Sequence, residues 1–404
     1  MHILVAYRGL PWPITEGYHL RVIHIFKRLR AAGHQVHLLG LINSASQRTQ
    51  LGDLESADLF DSISLMDFPS RSWAGRVKTN LGFDPAASLL AEYPGFSGQI
   101  RRRVAQLSEQ HQLDVAYVFD PWAEVLFCEA RHELPTLLDV CDSRSLFYQR
   151  QLEVGKVTGL ARLRLRQLHR RFCGLEAFAL ANYPLTTAVS PDDRHALMEL
   201  WPRARVEVVA NGVDLNQFSP HQGTEAVAGR ILMFGNMDFS PNVDAAVRCA
   251  RELLPLIKRR APQAHLVVVG TNPVPAVLAL DDLDGVEVTG EVEDLPPWIS
   301  SSCLLLAPMR FGAGIKNKVL ETMACARPVV TTNLAATALH PDAAGLLVLA
   351  DGNQELADAV VKLLHDPTRA LDLGVRGREV MRRHHSWEAS AARYGELLAE
   401  LTAR

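Results

Sequence analysis

The sequence predicts an α/β protein built from two doubly wound parallel-sheet domains, and three observations predict it. A chain of 404 residues exceeds what one hydrophobic core usually supports. Short apolar runs alternate with helix-length amphipathic segments, the pattern of βαβ units whose sheet is covered on both faces. The alternation runs through the chain twice, with a polar stretch between the two series.

In the first series "ILVAY" leads to a helical stretch from about Leu20 to Ala32, then "QVHLLGL", "DVAYVF", "PTLLDV" and "LTTAVS". "SPHQGTEAVAG", Ser219 to Gly229, has the Pro, Gly and polar content of a linker. The second series is "RILMFG", "HLVVVG", "VEVTG", "CLLLAP", "PVVTT" and "GLLVLA", with helix-length segments such as Asn242 to Arg259 between them. Near the end, Trp387, Ala391, Tyr394, Leu397 and Leu398 fall at helical spacing behind Ser386, a plausible N-cap. The expected division is 1–218, a linker 219–229, a second domain 230–385 and a final helix 386–404.

Composition narrows the function. Hydrophobic residues make up 48% and charged residues 22%, and the net charge of −3 lacks the basic excess that nucleic-acid binding brings. The six cysteines are scattered without CxxC or metal-ligand spacing, as in a reduced, cytoplasmic protein. No run reaches the length of a spanning helix, and "MHILVAYRG" lacks the features of a signal peptide.

The chemistry concentrates in "FGAGIKNKVLE", Phe311 to Glu321. "CLLLAP" reads as a buried strand, and Ile315, Val319, Met323 and Ala326 give the apolar stripe of a following helix, so "FGAG" is a strand-to-helix loop. Glycines such as Gly312 and Gly314 let backbone approach a ligand, and a helix start attracts an anion. Lys316 and Lys318 add charge, and Glu321 shares a face with Lys318. The set suits a diphosphate at the loop and a ribose diol on the carboxylate. Asn317 breaks GxGxxG, and Lys156 lacks the upstream glycine of a P-loop.

"GAGIKNKVLETMACARPVVTT", with "VVANGVDLNQF", "FGNMDFSPNVDA" and "VTGEVEDLP", resembles the retaining GT-B glycosyltransferases of family four, closest to the branch acting in bacterial polysaccharide assembly. The resemblance implies two Rossmann-like domains facing a cleft, a last helix crossing back to the first domain, and sugar transfer from a nucleotide-diphosphate donor. It assigns Glu321 to the ribose, and the backbone at Gly314 and Ile315 to the diphosphate. A second family glutamate, eight positions earlier, is Ala313 here. Where relatives carry a phosphate-neutralising Arg and Lys, this chain has Asn236 and Asp238, leaving Lys316 and Lys318 as the cations. Gly290 and Val292 correspond to the loop bracketing the base. Gly17 and Arg21 correspond to the glycine-rich loop facing diphosphate and acceptor. Cys141 or Asp142 falls where relatives carry an active-site histidine, with Asp139 just before. Arg21, Asp139, Asp142 and Lys318 are thus the catalytic candidates; Arg21 also reads as a solvated helix residue, and Asp142 as a helix cap.

"DLD", Asp282 to Asp284, reads as a surface loop, and neither a metal nor a cofactor is expected. "GLARLRLRQLHRRF", Gly159 to Phe172, interleaves leucines and arginines as a basic amphipathic helix, suited either to an anionic membrane face or to its own domain. The expected function is transfer of a hexose-type unit from a nucleotide sugar to a glycan or lipid-linked acceptor, in the cytoplasm and in possible peripheral contact with the inner membrane. A nucleotide-sugar 2-epimerase of the same architecture and a catalytically silent nucleotide-sugar sensor are the alternatives.

Overall fold

Apolar runs buried on both faces form two parallel sheets, one in each of two units. The computed structural model describes the whole chain except residues 14–16, 81–83, 222, 224 and 404. One unit comprises Met1–Ala210 with Trp387–Arg404, the other Asn211–Ser386.

In the first unit the strands are β1 (His2–Arg8), β2 (Gln35–Ile42), β3 (Ser62–Asp67), β4 (Val115–Phe119), β5 (Thr136–Cys141), β6 (Leu185–Ala188) and β7 (Val206–Val208). Their order across the sheet is β3-β2-β1-β4-β5-β6-β7, so the winding reverses between β1 and β4. At this centre Ile3 of β1 stands opposite Val36 on one side and Val115 on the other. One face of the sheet, with Leu4, Ala6, Leu39 and Val118, packs on Phe96, Ile100 and Val104 from the Phe96–His111 helix. β3 and β7 were not anticipated. The first is a half-buried edge strand, and the second is three residues long.

The opposite face carries a polar cluster. Helix Gly17–Ala31 brings in Arg21, which is fully buried. Its Nε donates to Asp139 Oδ2 at 2.8 Å, its Nη1 to the Val209 carbonyl at 2.9 Å, and its Nη2 to the Tyr394 hydroxyl at 2.6 Å. The Tyr394 hydroxyl in turn donates to Asp139 Oδ2 at 2.8 Å, and Tyr117 donates to the same oxygen at 2.5 Å. Asp139 Oδ1 accepts from the Cys141 amide at 2.9 Å. Arg21, Asp139, Tyr117 and Tyr394 are all shut away from solvent. This corrects the sequence reading on two counts: Arg21 is neither solvated nor a diphosphate ligand, and Asp139 does not meet a sugar, because each is the other's counter-charge in the core. Neighbouring Arg21 holds the Asp139 carboxyl below its ordinary range against the opposing effect of burial.

Tyr394 lies on the last helix, Trp387–Thr402, which packs along Gly17–Ala31 within the first unit. His24 and Trp387 stack with centroids 5.0 Å apart, and Arg28 pairs with Glu388 at 2.7 Å.

The second unit holds β8 (Arg230–Phe234), β9 (His265–Val269), β10 (Val286–Gly290), β11 (Leu304–Ala307), β12 (Val329–Thr331) and β13 (Val348–Leu349) in the order β10-β9-β8-β11-β12-β13. The winding reverses between β8 and β11. Helix Ser240–Arg248 continues through a π-helical turn, Cys249–Leu253, into Leu254–Lys258, where Pro255 supplies no backbone donor to the helical ladder. The stretch expected as a linker lies within this unit, as does Phe218, the last residue of the expected first domain: Val227 N donates to Ser301 O at 2.9 Å, and Arg378 holds the Phe218 carbonyl at 2.9 Å. Residues 222 and 224 of that stretch lie outside the described residues.

Removing one member of a buried ion pair leaves the other charged and unpaired. Arg21→Met is therefore expected to cost about 3–5 kcal/mol in urea unfolding, and Tyr394→Phe about 1–3 kcal/mol. The double variant Arg21→Met/Asp139→Leu should lose less than the two single losses added. Wild-type stability in Arg21→Met would disprove the structural role.

Candidate glycosyltransferase site

The loops at the carboxyl ends of β8, β9, β10 and β11 converge on the point where the second sheet reverses, the place at which open α/β sheets hold ligands. β8 runs into Gly235 at φ +145°, and Gly270 follows β9. A Cβ on Gly270 would stand 1.8 Å from the Gly235 carbonyl oxygen, so only glycine allows the two loops this close. β10 ends in Gly290 at φ +70°, with Val292 half-buried beyond it.

After β11 the chain passes through Gly312 at φ +133° and Gly314 at φ +67°, then enters helix Asn317–Ala324. Ile315 anchors the loop as a nearly buried side chain. Lys316 folds back over it, its Nζ donating to the carbonyls of Ala313 at 2.6 Å and Gly314 at 3.0 Å. Those bonds make Lys316 a brace of the loop rather than the surface lysine that the sequence offered beside its second phosphate-cation candidacy after Lys318.

Lys318 is different. It is only 8% exposed, and its Nζ donates to Asn242 Oδ1 at 2.7 Å. The Asn242 amide is oriented in turn, because its Nδ2 donates to the Asn236 carbonyl at 2.9 Å. Gly235 makes room for the amine: a Cβ there would lie 3.1 Å from Lys318 Nζ and 2.7 Å from Asn242 Nδ2. Glu321, three residues on and partly buried, shares the helix face of Lys318. Burial brings the Lys318 amine down to about 7, and burial pushes the Glu321 carboxyl up to about 7 against the opposing effect of Lys318. Asn236 Oδ1 accepts from Asp238 N at 3.3 Å and Thr271 Oγ1 at 3.4 Å, which fixes the β8 loop. The fold thus gathers Asn236, Gly290, Val292, Gly312, Gly314, Ile315, Lys316, Lys318 and Glu321 onto neighbouring loops of one sheet. Asn242 was missed, although it lies inside the quoted "FGNMDFSPNVDA", because a neutral amide carries no charge signal.

In the first unit, Gly17 opens its helix directly after residues 14–16, which are outside the described set. Asp142 follows Cys141, whose φ of +58° is unusual for a side-chain-bearing residue. Asp142 does not cap the next helix; Ser143 does, its Oγ accepting from Leu146 N at 3.2 Å, and Glu176 accepts from Arg144 N at 2.6 Å. Asp120, at the end of neighbouring β4, also has a positive φ, +80°, and pairs with Arg8 at 3.2 Å. Strained residues at adjacent strand ends mark this rim as a second candidate surface, one that the sequence reading reached through Cys141 and Asp142 but not through Asp120.

Two family models cover most of the chain: residues 17–217 match Glycosyltransferase Family 4, and residues 228–366 match Glycosyl transferases group 1. The GDP-mannose-dependent alpha-(1-6)-phosphatidylinositol monomannoside mannosyltransferase of Mycobacterium tuberculosis (strain ATCC 25618 / H37Rv) is 29% identical over 220 residues, 49% of this chain and 56% of that protein. The D-inositol 3-phosphate glycosyltransferase of Frankia alni is 28% identical over 233 residues, 50% of this chain and 56% of that protein. The chain thus spans about half the length of the curated relatives it matches. Among solved structures, sucrose-phosphate synthase from Thermosynechococcus elongatus is similar with a TM-score of 0.70 at 18% identity, over 100% of both chains. Anabaena HepE in complex with UDP is similar with a TM-score of 0.69 at 16% identity, over 99% of this chain and 100% of that one. With its two parallel-sheet units and the motifs of both family models, the chain belongs to the GT-B glycosyltransferases of family four.

Proposed function

We propose that the protein transfers a hexose from a nucleotide-diphosphate sugar to a glycan or lipid-linked acceptor, with retention of configuration. The observation that carries this reading is the placement of Lys318 and Glu321 on one helix face, beside the glycine loops at the second unit's reversal point. Backbone N–H groups around Gly314 and Ile315 bind the diphosphate, Lys318 meets its charge, Glu321 accepts from the ribose hydroxyls, and Gly290 and Val292 border the base. The sugar C1–oxygen bond to the diphosphate breaks and a bond from C1 to the acceptor hydroxyl forms on the same face, its proton passing to a phosphate oxygen of the leaving group. The protein's contribution is positioning and charge stabilisation of the departing diphosphate. The Mycobacterium tuberculosis relative is a GDP-mannose-dependent enzyme, and Anabaena HepE is seen in complex with UDP and glucose, so both donor types are natural probes.

Since Lys318 supplies the charge, transfer is proposed to need neither a resident metal nor a cofactor. Asp284 of the "DLD" stretch pairs with Lys258. His340, Asp342 and His384 are the one cluster of metal-ligating groups among the described residues. The two imidazoles stack 3.7 Å apart and 6° from parallel, an arrangement in which their nitrogen lone pairs do not converge.

A specific observation favours contact with a lipid surface. In helix Gly159–Asn182, Leu160 is 76% and Leu163 57% exposed, beside exposed Arg164 and Arg166. Apolar side chains at a basic helix end fit an anionic bilayer face. Arg171 takes no part, since it lies over the Trp122 ring at 5.0 Å. Among the described residues no helix is long and apolar enough to cross a membrane.

A thermal-shift panel of UDP, GDP, ADP, dTDP and CMP tests the donor site. One diphosphate at one hundred times its dissociation constant should stabilise by about 2.7 kcal/mol, and Glu321→Ala should abolish the gain. A full shift retained in the variant refutes the assignment of Glu321. Release of nucleotide from the matching sugar donor in EDTA, with acceptor present, separates an enzyme from a silent sensor. For the lipid surface, wild-type protein should sediment with vesicles rich in phosphatidylglycerol and the Leu160→Glu/Leu163→Glu variant should not; equal sedimentation of the two would end that reading.

A further inference from the structure

Lys318 carries a buried amine whose acceptor brings no counter-charge. Among the described residues its hydrogen-bond partner is the Oδ1 of Asn242, a neutral amide that cannot present its NH2 instead, because Nδ2 is already committed to the Asn236 carbonyl at 2.9 Å. Of the groups whose charge reaches the amine, Glu321 is an acid without a hydrogen bond to it, Lys316 is a second cation, and Cys249 is a buried thiol. Behind Cys249 stand Arg248, Arg310 and Asp244, with Arg310 paired to Asp244 at 3.4 Å. Glu321 favours the charged amine from a distance, and among the described residues no carboxylate forms an ion pair with it.

We propose that Asn242 is the positioning residue that holds the Lys318 amine for the donor diphosphate, and that donor binding charges this amine by proton uptake while it ionises Glu321. The inference rests on the donor site proposed above and adds an account of its charge. A diphosphate beside the amine supplies the missing anion and favours the ammonium form. Ribose hydroxyls donating to Glu321 favour the carboxylate. One proton is gained on nitrogen and one lost from oxygen, so the two exchanges oppose each other. Which of them dominates is set by pH. Both groups lie near 7 in the free protein, the lysine because burial disfavours its charge, the glutamate for the same reason. Above neutrality the amine begins uncharged and uptake wins; below neutrality the carboxyl begins protonated and release wins.

Calorimetric titration of the full chain with UDP-glucose, GDP-mannose and ADP-glucose, in buffers of different ionisation heat, counts these protons. Nucleotide sugars are the probes because their diphosphate does not itself titrate in this range. The expected result for the probe that binds is net proton uptake at pH 8, net release at pH 6, and a change of sign between them. This profile needs no variant to fold. Lys318→Met should lose the uptake and keep the release. Asn242→Asp, which supplies a permanent counter-charge, should bring the uptake at pH 8 close to zero and weaken binding at least tenfold; thermal unfolding of the unliganded variant shows whether its fold is kept. A role of Asn242 in folding alone would leave the proton count per bound donor as in wild type, and that result overturns its positioning role. Donor binding with a flat proton count from pH 6 to pH 8 overturns the proton coupling and leaves the donor site standing. Failure of every probe to bind, by heat and by thermal shift, overturns the donor site and this inference with it.

Discussion

A buried arginine organises the first unit. Arg21 binds partners 118, 188 and 373 residues away in the chain, on β5, after β7 and on the last helix. Taking a guanidinium and a carboxylate out of water costs several kcal/mol per ion, an amount offset only when the geometry is good and the remaining donors and acceptors are met. Here they are met: two tyrosine hydroxyls and a backbone amide complete Asp139, and a carbonyl and a hydroxyl complete Arg21. The last helix follows from this requirement. A phenol must stand between guanidinium and carboxylate, and Tyr394 supplies it from a segment that the whole second unit separates from the rest of its own.

The second unit depends on a steric constraint instead. Gly235 and Gly270 end adjacent strands, and the backbone of one occupies the space where a Cβ of the other would be. This close approach brings the β8 loop to the start of helix Ser240–Arg248, so that Asn242 reaches both the Asn236 carbonyl and the amine of Lys318. The site is thereby assembled from backbone proximity first and side-chain charge second.

Much of this was legible in the sequence because parallel strands covered on both faces are nearly continuous apolar runs. All six strands of the second unit fall where such runs predicted them. β3 escaped because "SISLMD" is half polar, and β7 because three residues are too few for a periodicity. The glycine–lysine loop was legible for its φ requirements and its charge. Arg21 was misread for a physical reason. A charged residue one turn into a helix looks ligand-facing unless its counter-ion is known, and that counter-ion is 118 positions downstream. The boundary at 218 was misplaced because the polar composition of 219–229 says nothing of the bonds that tie Val227, and Phe218 before it, to the second unit.

Lys316 and Lys318 show how neighbouring identical residues divide the work of a site. Two positions apart, they do not face the same way on a helix start. Lys316 satisfies the carbonyls of its own loop, which braces the backbone around Gly314. A cation bound in this way has little left to offer a phosphate. Lys318 has the opposite balance: it is desolvated, aligned by an amide, and without a counter-charge that touches it. In low-dielectric surroundings that imbalance is worth far more than a solvated lysine would be. In this unit the amine stands on the helix after β11, and the polar groups at the end of β8 orient it through Asn242.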